Sequence, residues 1–110
     1  MQIAIDFSIF TLAPSAAGVI SGKIEFSELP RVGEMISFSF PPNESTFPSV
    51  PGINALLKVE HVIHSANGEN PALSLQDLVL PSKESVAEVV AFLEKGFGLF
   101  FSSGNPRQTL

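Results

Sequence analysis

The side chains of this 110-residue chain best suited to proton transfer or metal ligation near neutral pH are its two histidines, His61 and His64. They lie three residues apart in a segment that alternates apolar and polar residues. In a strand, that spacing sends them to opposite faces, so they do not share one metal ion. A histidine–carboxylate centre would need an acid from elsewhere, and Asp77, across a hairpin, is the candidate. His61 shares its face with Leu57, Val59 and Ile63. It reads as a core histidine with one hydrogen-bond partner, or as the polar anchor of an apolar pocket. His64 shares the other face with Lys58 and Glu60 and reads as solvated.

Other chemistries are poorly served. Asp6 and Glu60 are strand acids, but a glycosidase-like pair needs two carboxylates at a defined separation, and nothing in the sequence brings these together. The chain has no cysteine, which removes thiolate nucleophiles and thiolate metal sites. No serine stands in a nucleophile elbow. Gly96-Phe97-Gly98 leads into Leu99 and Phe100, not into a helix start that could bind phosphate. Asn43-Glu44-Ser45 matches a glycosylation acceptor, but no secretory signal accompanies it. The expectation is a protein that is not an enzyme and uses neither cofactor nor metal.

The elements that would position these residues follow from periodicity. Ile3, Ile5, Phe7 and Ile9 alternate with small or polar residues and predict a strand. Pro14 to Gly18 predicts a turn. Ile20, Gly22, Ile24 and Phe26 give a second strand, with a bulge or bend at Gly22, where no side chain fills the inner face. Leu29-Pro30-Arg31-Val32-Gly33-Glu34 resembles the turn grammar of small β-barrels. It predicts a hairpin between the second strand and a third through Ile36, Phe38 and Phe40. Pro41 to Asn54 is too rich in proline for a strand or helix and reads as one long loop. Leu57 to His64 predicts a fourth strand. Asn67-Gly68 signals a hairpin into a fifth strand through Leu73 and Leu75 towards Val79, interrupted near Gln76-Asp77.

Ser82 is a suitable N-cap, and Val86, Val89, Val90, Leu93 and Phe97 recur at helical spacing. They predict one helix from Lys83 to Lys95, closed by Gly96. Leu99, Phe100 and Phe101 predict a last short strand. The expected architecture is α+β: a curved, mainly antiparallel sheet, or a small partly open β-barrel, of five to six strands with the C-terminal helix packed on it. Residues 1–102 form one domain and 103–110 a flexible tail.

Composition narrows the function classes. Hydrophobic residues make up 45% and charged residues 15% of the chain, the latter low against a typical ~25%. The net charge is −5, and the six cations are scattered as Lys23, Arg31, Lys58, Lys83, Lys95 and Arg107. With neither Trp nor Tyr, this is a poor nucleic-acid ligand. No apolar run reaches membrane-spanning length. No cation precedes Lys23, and Asp6 interrupts the apolar start, so the first segment reads as a strand and not a signal peptide. The cytoplasm is the expected compartment.

Two apolar patches are left as candidate interaction surfaces. One is the loop carrying Phe47 and Val50, either exposed at its tip or with Phe47 folded back on the core. The other is Leu99, Phe100 and Phe101, where a free strand edge would offer a template for pairing. The leading expectation is a non-catalytic interaction module that forms a homodimer or binds another protein. A second is a barrel holding a small apolar ligand among Phe7, Phe26, Phe38, Phe40 and Phe92, with His61 as anchor. A third is an acidic immunity or inhibitor-type protein that masks a basic partner.

Overall fold

The computed structural model describes residues 1–12, 15–39, 41, 46–50 and 52–103. The strands are β1 (Gln2–Thr11), β2 (Ser15–Glu25), β3 (Met35–Ser37), β4 (Leu56–Ile63), β5 (Ala72–Leu75), β6 (Leu78–Leu80) and β7 (Phe100–Ser103); the helix α1 (Lys83–Phe97) precedes β7. They form one sheet in the order β3-β4-β5-β1-β2-β7, with β6 continuing β5 along the same side of β1. The fold is α+β, a mostly antiparallel open sheet carrying a single C-terminal helix.

The alternation of β1 decides which face is inside. Ile3, Ile5, Phe7 and Ile9 are buried, while Asp6 between them is exposed. Their cross-strand partners on β2 are Ile24, Gly22, Ile20 and Gly18. Leu57 and Val59 of β4, Leu73 and Leu75 of β5, and Leu78 and Leu80 of β6 complete the inner face. The helix lays Val86, Val89, Phe92 and Leu93 against it. Each such side chain contributes about 2 kcal/mol by leaving water, which makes up for the weak helix propensity of the valines.

Several expectations need correction. The hairpin between the second and third strands does not form. β2 is paired by β1 along one side and by β7 along the other, and β3 instead pairs antiparallel with β4 at the far edge. The tight turn between them exists, with Glu34 N–H donating to Arg31 O at 3.0 Å. The chain flares on either side of it. The sheet is mainly antiparallel, as expected, with β5 and β6 joining β1 in parallel. β2 already begins at Ser15, within the segment expected to turn. The register slips between Ile9 and Phe10 of β1, opposite Gly18 and Ala16, and not at Gly22.

The break expected at Gln76-Asp77 separates β5 from β6. Gln76 bridges it: its Oε1 accepts from Lys58 N at 2.7 Å, and its own N–H donates to Lys58 O at 2.9 Å. The helix starts as read from the sequence, with the Ser82 side chain accepting from Ser85 N at 3.1 Å. It runs past Gly96, which is buried inside it. Gly98 is the cap, at φ 68° and ψ 27°, and its N–H donates to Glu94 O at 3.1 Å. A left-handed residue costs glycine least, so the second glycine of the pair closes the helix. Pro14, Phe40, the Asn43-Glu44-Ser45 match and residues 104–110 of the expected tail lie outside the described residues; Ser103, also assigned to that tail, belongs to β7.

Candidate interaction surface

The left-handed Gly98 turns the chain from α1 directly onto β2. Leu99, next in line, is 2% exposed. It occupies the notch that Gly22 leaves in the inner face, where a Cβ would stand only 2.7 Å from Leu99 Cδ2. The missing side chain of Gly22 is therefore a seat for Leu99, not the mark of a bulge. Four residues further along the inner face of β2, Gly18 lies under the Phe101 ring and the Ser102 carbonyl oxygen. A Cβ there would strike both. These two glycines let β7 settle on β2, in the register Gly18↔Ser103 to Ser21↔Phe100.

The alternation of β7 then separates its two phenylalanines. Phe101 pairs with buried Ile20 and is half-buried against the core. Phe100 pairs with Ser21 on the outer face and is 68% exposed. Beside it runs a shallow groove of about 530 Å³ lined by small residues, among them Ala4, Ser21 and Gly22, and by Asp6 and Lys23. β7 is the last strand of the sheet order, so among the described residues its far edge has no neighbouring strand. Of the residues singled out at this end of the chain, Phe100 and the β7 main chain face solvent, while Leu99 belongs to the core.

The loop residues do not form a second surface. Val50 is 7% exposed, and Phe47 is half-buried with its ring 5.2 Å from that of Phe92 in an edge-to-face pair. Phe47 packs on Phe92 of the helix, and Val50 belongs to the buried core.

His61 is exposed and lies outside the core. Between Val59 and His61 the register against β5 slips by one residue, so that Glu60 is inserted and His61 pairs with Ser74. An inserted residue exchanges the faces of everything after it. Val62 turns inward in place of His61, and Ile63 is left 55% exposed. The expected role of His61 as an anchor inside an apolar pocket therefore has no geometric basis. The phenylalanines of the interior pack on one another: Phe7 and Phe38 at 6.3 Å, Phe38 and Phe97 at 5.2 Å, and Phe92 and Phe97 at 5.9 Å between ring centres. The space left beside Phe7, Phe38, Phe47 and Leu93 is about 10 Å³, roughly room for one water molecule.

His64, Asp6, Glu60 and Asp77 are all exposed. Among the described residues, no three of His, Asp or Glu are grouped to hold a metal ion, and no helix is long and apolar enough to cross a membrane. The β7 edge could be anticipated from the last apolar run. The seat for Leu99 was signalled only by a glycine at an inward position. Comparison with family models, with curated proteins and with solved structures found no match.

Proposed function

We propose that the chain is a non-catalytic interaction module that associates with a second copy of itself through the free edge of β7. The observation that carries this reading is Phe100, a large apolar side chain 68% exposed on a strand whose outer edge has no neighbour among the described residues. An unpaired edge presents a row of N–H and C=O groups, and a second edge can satisfy them. Two β7 strands running antiparallel about a two-fold axis would extend the sheet across both protomers. The two Phe100 rings would then be covered on the outer face, next to the groove of small side chains. Phe101 is held by Gly18 and Ile20, so it supports the edge from below and is not free to meet the partner.

Native mass spectrometry over a range of concentrations tests this reading with three proteins. The wild type should show a concentration-dependent dimer. Phe100→Ser should remain monomeric, with the unfolding midpoint of the wild type at dilutions where the wild type is itself monomeric. Ile63→Ser, which removes another exposed apolar side chain, from β4, should dimerise as the wild type does. A wild type that is monomeric throughout, or a Phe100→Ser dimer of undiminished strength, would overturn the proposal.

A further inference from the structure

The missing β2–β3 hairpin leaves a second opening in the sheet. The flared connection forms a cleft of about 590 Å³, with Phe26 to Pro30 as one wall and Gly33 to Ser37 as the other. One wall is the free edge of β3. Phe38 N–H donates to Ala55 O at 2.8 Å. Antiparallel main-chain groups point alternately towards and away from a neighbour, so Ile36 faces its partner Leu57 while Met35 and Ser37 turn their N–H and C=O away from β4. Both residues line the cleft. The side chains around them are of two kinds. Phe26 and Leu29, both half-buried, offer apolar surface, and Met35, 49% exposed, adds an adaptable one. Glu28 and Glu34 are the charged side chains of the lining; Arg31, in the turn between the walls, and Lys58, across from Met35, are exposed outside it. Glu34 also accepts from Arg31 N–H, at 2.6 Å, which fixes its carboxylate at the rim.

We propose that this cleft takes an extended, cationic segment of a partner protein, added as a strand to the edge of β3. Strand addition supplies affinity through the main chain, and the pockets for alternate side chains set specificity. A bound segment would direct apolar residues towards Phe26, Leu29 and Met35, and lysines or arginines towards Glu28 and Glu34. The net charge of −5 favours the approach of such a segment. This site is separate from the β7 edge and does not depend on the pairing proposed there.

The test uses the full chain and a fluorescein-labelled peptide of alternating lysine and valine, read by fluorescence anisotropy. Binding is expected, and it should weaken as salt screens the carboxylates. Glu28→Gln with Glu34→Gln, which keeps both side chains as acceptors, should weaken it about fivefold. The same peptide N-methylated at alternate amides should lose binding, since it keeps the charges but cannot join a ladder. Amide NMR of the complex should place the largest shifts at Met35 and Ser37. Equal binding of a glutamate–valine peptide, equal binding of the N-methylated peptide, an unaffected double variant, or shifts confined to Phe100–Ser103 would each overturn the proposal.

Discussion

The seat that Gly22 provides for Leu99 can be measured as a coupling energy. Truncation of Leu99, which is 2% exposed, should cost about 3 kcal/mol through lost burial and the cavity left behind. Gly22→Ala should cost about 2 kcal/mol, because the new Cβ stands 2.7 Å from Leu99 Cδ2 and 3.3 Å from Leu99 Cα, on a backbone at φ +154° that alanine rarely adopts. The two losses should not add. Once Leu99 is cut back to alanine, the methyl at position 22 enters the space vacated. Only its crowding against the Leu99 main chain and the strain at position 22 then remain. The double variant should therefore lose about 3.5 kcal/mol, a favourable coupling of about 1.5 kcal/mol. Urea unfolding of the wild type and the three variants, with the slope unchanged, gives the cycle. A double loss within about 0.5 kcal/mol of the sum would refute the notch. So large a loss would rival the whole stability of a small domain, so the refuting result would be conspicuous.

Gly18→Ala is a harsher change, since its Cβ meets the Ser102 carbonyl oxygen, a main-chain atom that cannot rotate aside. It should cost about 3 kcal/mol, and hydrogen exchange should show the β7 amides freed while those of α1 stay protected. Ser82→Ala removes the side chain that accepts from Ser85 N, and should lower stability by about 1 kcal/mol in thermal unfolding. Phe47→Ala breaks the edge-to-face pair with Phe92 and should cost about 2 kcal/mol in urea. A loss under about 0.5 kcal/mol would mean that Phe47 does not pack on the core.

What the sequence revealed was local, and what it concealed was set by neighbours. The alternation of Ile3 to Ile9 and the cap at Ser82 depend on a few adjacent residues, and both are found in the structure. The partner of β2 depends on which edges are free, which no turn motif encodes. A well-formed turn at Arg31–Glu34 therefore does not make a hairpin. His61 shows how one inserted residue misleads periodicity. The pattern Leu57, Val59, His61, Ile63 is regular in sequence, but the slip at Glu60 puts its first half inside and its second half outside. The proposed interaction surface is legible as an apolar run; that Leu99, Phe100 and Phe101 divide into core, solvent and contact with Gly18 follows only from the register with β2.

The parallel pairing of β1 with β5 bears on how the molecule reaches this state. Ile5 and Leu73, neighbours in the sheet, are about 68 residues apart in the chain. Their meeting closes a long loop before it yields any contact, the condition under which small domains fold in milliseconds to seconds instead of microseconds. β1 and β2 need only each other to form, so they can pair early. Until β5 and β6 arrive, the flank of β1 they will occupy stays open, in a strand bearing Ile3, Ile5, Phe7 and Ile9. The slowest contact in folding would then be the one that hides the stickiest edge, and chains crowded together while refolding would be expected to aggregate through β1.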